Sequence, residues 1–495
     1  MRSLPVKALF DGIESVKYPE SFNASISVVP TPLCHGTDRG SLIYITEKVG
    51  KEDTDIDLSM LSADTAAAAV ISNSARVSTC HVPIIRVDSV RSALSIAMSR
   101  ACGIDYDKMK IIGVTGTNGK TTTATLIYEI LRQCGYKVGF IGTGKILSCN
   151  EVLSTDSYSM TTPDPSVLYP ALEQMSGDGC EYVVMEVSSH SIALGKIEPI
   201  RFEYAIFTNL DNDHLDFHGS KEEYFNTKLK LFNKAKTGLF NADDEYGRRC
   251  PEKAKCTVTS FGIIYPSDVY ATDIELKSLC ESSFFYRQDG LIFKAVTRLG
   301  GAFNVYNALA AIRCVIDLGI KPCIIKRVLC DIEGVDGRLE VIDGKVKTII
   351  DYAHTPSAFY NCLKTIKSSI SIKQKLIVVF GCGGDRDKSK RADFGKYAEM
   401  LADIIIITED NSRTEDFSSI ASDITGGISS KDFTLIKDRE KAIRHAFSIA
   451  REGDVIALIG KGHERYKIIG SEYLPFDERQ IIRDAMKDFG GKNES

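Results

Sequence analysis

The chain has 495 residues, 43% of them hydrophobic and 26% charged, with a formal net charge of −5; this is the profile of a soluble globular protein of about three ordinary domains. That charge excludes the basic footprint of a nucleic-acid binder. No apolar run approaches the ~18 residues that span a bilayer, and Met1–Lys7 lacks the apolar core of a signal peptide.

The fourteen cysteines include no C-x-x-C pair. Neither a zinc site nor a redox motif is indicated, and buried thiols in a reducing cytosol are expected. Residues 1–108 read as a small α/β unit. Ser41–Ile45, Ala69–Ile71 and Val82–Val87 are strand-like, and Ser89–Ala101 is helical, leading to a linker at Cys102–Tyr106. No catalytic motif stands in this part.

A second unit is expected over 109–337. The apolar run Ile111–Val114 reads as a buried strand, and Thr123–Leu131 as an amphipathic helix ending near Gly135. Between them lies Thr115-Gly116-Thr117-Asn118-Gly119-Lys120-Thr121-Thr122. Strand, glycine-rich loop and helix make the context of a phosphate-binding loop. Gly116 and Gly119 let backbone N–H groups turn inward, Lys120 adds a point charge, and Thr121 or Thr122 offers a hydroxyl to Mg²⁺. Val114 stands where the usual G-x-x-x-x-G-K-[ST] pattern has glycine. The alternative is a structural turn with an exposed lysine.

Lys137–Ile141, Tyr182–Val187 and Tyr204–Thr208 are further strands alternating with helical patterns, which argues for a parallel sheet. Two polar clusters follow strands, Glu186-Val187-Ser188-Ser189-His190 and Asn209–Asp216, where open α/β sheets form their ligand crevice. A carboxylate there can hold a metal; a cap, an ion pair or a polar turn is the ordinary reading. In the next helix Ser220 and Glu223 have capping-box spacing, and Lys228 falls on the same face as Tyr224, Leu231 and Phe232. An ammonium among apolar groups is costly. It either snorkels to the surface or is a modified or ion-paired lysine near the phosphate site. Residues 268–300 read as antiparallel strands, and a helix from Phe303 to Gly319 carries Asn304 and Asn307 one turn apart, either facing one ligand or serving as cap and turn. Gly334–Arg338 marks a linker.

Residues 338–495 form the third unit. Lys347–Tyr352, Leu376–Phe380, Ile404–Thr408 and Val455–Ile459 read as strands of a second doubly wound, Rossmann-like sheet, so the fold class is α/β in three domains. Polar clusters follow all four: Asp351–Pro356, Gly381–Asp387, Asp410-Asn411-Ser412-Arg413 and Gly460-Lys461-Gly462-His463-Glu464. Gly381-Cys382-Gly383-Gly384 lacks the full spacing of a dinucleotide fingerprint.

With Thr161-Thr162-Pro163, Asp213-His214-Leu215-Asp216, Gly337-Arg338-Leu339-Glu340 and Gly384-Asp385-Arg386-Asp387 added, these motifs run in one order from about residue 110 to 479. On them the chain strongly resembles the Mur ligases of bacterial cell-wall synthesis, nearest the tripeptide-forming type. The resemblance implies an ATP-dependent amide ligase that adds an amino acid to UDP-N-acetylmuramoyl-L-alanyl-D-glutamate through an acyl phosphate, with ATP and Mg²⁺. It implies three domains: a UDP-substrate-binding unit at 1–108, an ATP-binding unit at 109–337 and an amino-acid-binding unit at 338–495. It also implies a cytoplasmic enzyme with small-molecule partners only, expected as a monomer.

By motif match Lys120, Glu186, His214 and Lys228 are catalytic, and Lys228 is carbamylated. Gly116, Thr117, Asn118, Gly119, Lys120, Thr121, Thr122, Asn307, Arg338 and Asp351 hold ATP. Thr121, Thr122, Glu186, His214 and Lys228 serve metal. Thr161, Thr162, Ser188 and Lys196 fall on the UDP-substrate site; Arg386, Asp410, Asn411, Arg413, Gly460 and Glu464 fall on the amino-acid site. The first hundred residues lack the family's Asp-Ser-Arg stretch and Gly-rich uridine segment, and Lys196 stands where the family often has arginine. In the family D-N-P-R marks enzymes that take meso-diaminopimelate. Here Ser412 replaces the proline and Arg413 is kept, so meso-diaminopimelate is expected over L-lysine. The rivals are a folylpolyglutamate-type ligase and, from another class, a P-loop ATPase or a scaffold without chemistry.

Overall fold

The apolar runs of the second unit are strands buried on both faces, which is why they read as continuous rather than alternating. Ile112, Val114, Val184 and Ile206 point into one core, and Ile111, Val183, Met185, Ala205 and Phe207 into the other. The computed structural model describes residues 4–20, 22–26, 31–32, 41–45, 56–62, 64–154 and 160–491. Its largest sheet has eleven strands, ordered Glu151–Ser154, Lys145–Ser148, Val138–Gly142, Tyr182–Glu186, Lys110–Thr115, Phe202–Phe207, Ala235–Asn241, Thr257–Gly262, Val269–Ser278, Glu281–Gln288 and Leu291–Thr297. The strands from Val138–Gly142 through Val269–Ser278 run parallel, and an antiparallel pair closes each end. Lys110–Thr115 sits mid-sheet, with Tyr182–Glu186 on one side and Phe202–Phe207 on the other. The chain switches sides there, and the ligand crevice of such sheets opens at that point. Helix Lys120–Gln133 leaves from the strand's carboxyl end and packs against helix Ala302–Asp317.

The third unit repeats this logic with six strands, ordered Glu340–Ile342, Lys347–Asp351, Val455–Ile459, Leu376–Phe380, Ile404–Ile407 and Phe433–Leu435. All neighbours are parallel except the first pair. Near the N-terminus, Thr31–Pro32, Leu42–Tyr44, Ala68–Ser72 and Ile84–Val87 make a four-stranded parallel sheet. Helix Val90–Cys102 follows, capped by Ser89 and ended by Gly103 at φ 62°. No helix among the described residues is long and apolar enough to cross a membrane, and every described cysteine is a free thiol.

Two expectations need adjusting. The α-helix carrying Lys228 runs Lys221–Leu229 and tightens into a 3₁₀ segment at Lys230–Lys234, yet Tyr224, Lys228, Leu231 and Phe232 are all buried as expected. Helix Val90–Cys102 also takes in the first residue of the expected linker.

Candidate active site

The loop after Lys110–Thr115 is shaped by two glycines that no other residue could replace without strain. Gly116 has φ 148° and Gly119 φ 85°; a Cβ on the first would run into Thr208 Oγ1, and on the second into Asn307 Oδ1. Asn209 pins the loop by accepting from Thr117 N through its carbonyl (2.8 Å) and from Asn118 N through its side chain (2.9 Å). Lys120 Nζ folds back onto the carbonyls of Gly116 (3.0 Å) and Thr117 (2.8 Å). Loss of hydration lowers its pKa, with the Glu186 charge opposing.

Glu186 ends its strand fully buried. Its carboxylate accepts from Thr121 Oγ1 at 2.9 Å, from the Thr143 amide at 2.8 Å and from Thr143 Oγ1 at 3.2 Å. Of the two loop threonines, Thr121 therefore stands beside Glu186, whereas Thr122 is buried on the far side of the loop. Thr162 lies under the same strand end, donating to Glu186 O and accepting from Ser188 N, and Thr161 meets Thr143. Lys196 is set back from the cavity and pairs with Asp164 at 2.8 Å.

Lys228 is 1% exposed. Its Nζ donates to Gly116 O at 2.9 Å and lies 4.5 Å from the centre of the Tyr224 ring. Burial, and then the like charge of Lys120, push its pKa well below the usual lysine range. The two lysines thus meet on one carbonyl. His214 heads a short helix at φ 55° with its ring across from His190, 4.7 Å between centres. Burial holds both imidazoles neutral, with His190 down to about 4 and His214 lower. Asp213 is 3.1 Å from Lys390 Nζ, 3.3 Å from His214 and 3.4 Å from His354. Its burial would raise the carboxyl, but His354 and Lys390 hold it well below the usual range.

The third unit closes the far wall. Arg338 donates to Thr121 Oγ1 at 3.1 Å and stacks on Tyr352, Thr355 accepts from Asn118 at 3.1 Å, and Ser357 bonds Asp211. Buried Asp351 accepts from the amides of Leu339 and Ala353. Arg391, fully buried, grips Glu415 and Asp423 and bonds Gly383 O, tying the 381–387 loop to the segment after Arg413. Arg413 Nη1 turns to the carbonyls of Gly384 (2.8 Å) and Asn411 (3.3 Å). Neither Arg386 nor Arg413 has a carboxylate partner in ion-pair range among the described residues.

Two cavities meet at the loop. One, of about 400 Å³, is lined by Asn118, Thr122, Asn307, Arg338, Asp351 and Tyr306 among others. The other, of about 260 Å³, brings together Lys120, Thr121, Thr161, Glu186, Ser188, His214 and Lys228 on one wall with Arg386, Asp410, Asn411, Arg413, Gly460 and Glu464 on the other. Asn304 instead bonds Asn307 and Gly300 O, away from the first cavity. Thr143 and Lys390 carry no motif in the sequence, and Lys461 stands inside the Gly460–Glu464 cluster without a role of its own. Thr143 follows a strand as the other site residues do, and that was the available signal. Lys390 is recognisable only from a partner 177 positions away, and Lys461 bonds both Asn411, 50 positions away, and its neighbour Glu464.

Residues 114–315 match the model of the Mur ligase middle domain, and 337–462 that of the Mur ligase glutamate ligase domain. A protein of Clostridium perfringens named UDP-N-acetylmuramoyl-L-alanyl-D-glutamate–2,6-diaminopimelate ligase is 42% identical over 416 residues, 82% of this chain and 84% of the relative. The protein of that name from Geobacillus kaustophilus is 38% identical over 448 residues, covering 86% and 88%. A solved structure of a ligase of the same name superposes with a TM-score of 0.61 at 27% identity, covering 98% of this chain and 99% of that one.

Proposed function

The chain belongs to the Mur ligase family, and from that premise we propose that it is the ATP-dependent ligase that joins meso-diaminopimelate to UDP-N-acetylmuramoyl-L-alanyl-D-glutamate in peptidoglycan precursor synthesis. The observation that carries the amino-acid assignment is the second cavity: two guanidiniums without carboxylate partners among the described residues face it beside the half-buried carboxylates Asp410 and Glu464. A substrate whose far end is both carboxylate and ammonium satisfies both sets; L-lysine offers only the ammonium. We assign the three units to 1–108 for the UDP-linked acceptor, 109–337 for ATP and 338–495 for the amino acid, acting as a cytoplasmic monomer. Thr161, Thr162, Ser188 and Lys196 would take the acceptor. Tyr44 supports this, since its hydroxyl donates to Ser166 Oγ (3.1 Å) next to that loop.

In the reaction an acceptor carboxylate oxygen attacks the γ-phosphorus of ATP, and the bond to ADP breaks. The amine of the amino acid then attacks the acyl carbon, phosphate leaves, and the nitrogen loses a proton. Loop amides and Lys120 stabilise the moving phosphoryl charge, and Asn307, Arg338 and Asp351 hold the nucleotide in the larger cavity. Contacts from Arg338, Thr355 and Lys390 to the central unit bring the amine-side wall against the loop, which aligns the reactants and keeps water from the acyl phosphate.

Among the described residues, no three His, Cys, Asp or Glu side chains gather into a metal site. The oxygens of Thr121 and Glu186, already 2.9 Å apart, are nonetheless hard donors that fit Mg²⁺. Thr121 and Glu186 would hold one ion, with His214 and Lys228 serving a second. Bound there, Mg²⁺ neutralises charge on the phosphate oxygens. Lys228 would contribute as a carbamate: its unprotonated amine adds to CO₂, a proton leaves, and the buried amine becomes an anion.

The assignment of the amino acid is tested by comparing kcat/KM for meso-diaminopimelate and L-lysine in wild type and Arg413→Ala. Wild type is expected to favour meso-diaminopimelate. Arg413→Ala should shrink that preference by about tenfold or more, the worth of one charge-assisted pair. A wild-type preference for L-lysine, or an unchanged ratio in the variant, overturns it.

A further inference from the structure

We infer that Lys461 is a positioning residue that sets the charge of the amino-acid pocket: it balances Asp410 and so leaves Glu464 as the carboxylate that meets the distal ammonium of the substrate. Lys461 is fully buried. Its Nζ lies 3.0 Å from Asp410 Oδ1, 2.5 Å from Asn411 Oδ1 and 3.3 Å from Glu464 Oε2. Asn411 completes the ring by donating to Glu464 Oε2 at 2.9 Å, and its oxygen is fixed by the Ile468 amide. One ammonium thus touches both Asp410 and Glu464, on a wall that also carries the Arg386 and Arg413 guanidiniums.

The arithmetic of charge decides the role. Asp410 and Glu464 carry two negative charges, Lys461 one positive, and the cluster keeps a single negative charge for an incoming cation. The remaining groups facing Glu464 do not alter this. Tyr352 and Tyr466 bring hydroxyls to within 3.4 and 3.5 Å of its other oxygen. Arg413 is turned to carbonyls, and Arg439 is committed to Glu478 at 2.6 Å. Burial and Asp410 raise the Glu464 carboxyl against the pull of Lys461, whereas Lys461, Arg439 and Arg413 overcome burial to hold Asp410 low. Without Lys461, two carboxylates that shared one counter-ion would compete, and one would take a proton. Without Asp410, Lys461 would neutralise Glu464 and repel the substrate's ammonium.

This rests on the diaminopimelate reading above. The test measures kcat and KM for meso-diaminopimelate and for ATP in wild type, K461M, D410N and K461M/D410N, from about pH 7 to about pH 9. Each single variant is expected to raise KM for meso-diaminopimelate about tenfold, the effect of one pKa unit on the key group. KM for ATP should move less than about twofold, because ATP lies in the other cavity. The double variant, with the cluster again at one negative charge, is expected to bind the amino acid better than either single variant. A residue that merely clips the loop would show additive losses instead. In K461M the Glu464 carboxyl loses its cation and titrates higher, so KM should fall more steeply with rising pH than in wild type. A double variant no better than D410N, or a K461M pH profile parallel to wild type, overturns the inference. Should K461M not fold, D410N against the double variant still decides. A wild type inert toward meso-diaminopimelate overturns the reading itself, and is seen before any variant is made.

Discussion

Lys120→Ala is expected to lose about 10²–10³ in turnover, the worth of one preorganised electrostatic donor, while its Tm stays within about a few degrees of wild type. Lys120 bonds only the carbonyls of Gly116 and Thr117 and has no carboxylate in ion-pair contact among the described residues. Its removal therefore breaks no ion pair, and buried Glu186 keeps its hydrogen bonds from Thr121 and Thr143. It also relieves the like charge that bears on Lys228. The loop keeps its shape through Asn209 and Thr208, which do not depend on the lysine. Phosphate release and thermal melting on the same preparation check the two halves. Near-normal turnover would contradict the phosphate-loop assignment, and collapse of the fold would contradict the division between structure and chemistry.

Lys228→Ala is expected to be at least as severe in turnover. A buried lysine on an apolar face, its pKa pushed well below the usual lysine range by burial and by Lys120, is suited to be the nucleophile that carbamate formation requires. Wild type supplied with ¹³C-bicarbonate should give a carbamate resonance that Lys228→Ala lacks, and short carboxylates such as acetate should restore part of the variant's activity by standing in for the lost anion. An active wild type with no such resonance, or a variant with full activity, would overturn the modification.

How far the sequence alone reaches is visible in these same residues. The loop was legible because glycines at 116 and 119 lie between an apolar strand and a helix, a purely local pattern. The burial of Lys228 was legible from helical periodicity, although the backbone turns to 3₁₀ at Lys230 before the apolar face ends. The strands Ala235–Asn241 and Thr257–Gly262 carry no such signal: each opens on residues that are exposed or half-buried, polar and apolar mixed, and is continuously buried only toward its end, so neither alternation nor a continuous apolar run announces it. Whether Asn304 and Asn307 shared a ligand could not be read from spacing, since their bond to each other removes Asn304 from the cavity. The links that assemble the site, Asp213 to Lys390 and Lys461 to Asp410, join residues brought together only by packing the units, and no local pattern encodes them.

The most direct measurement is phosphate release by the purified protein with ATP and Mg²⁺, supplied with the UDP-muramoyl dipeptide, meso-diaminopimelate, both or neither. Phosphate should appear at a sustained rate only with both, in step with the UDP-linked tripeptide product. Steady release without either organic substrate, or full activity with a folate and glutamate in their place, would contradict the account.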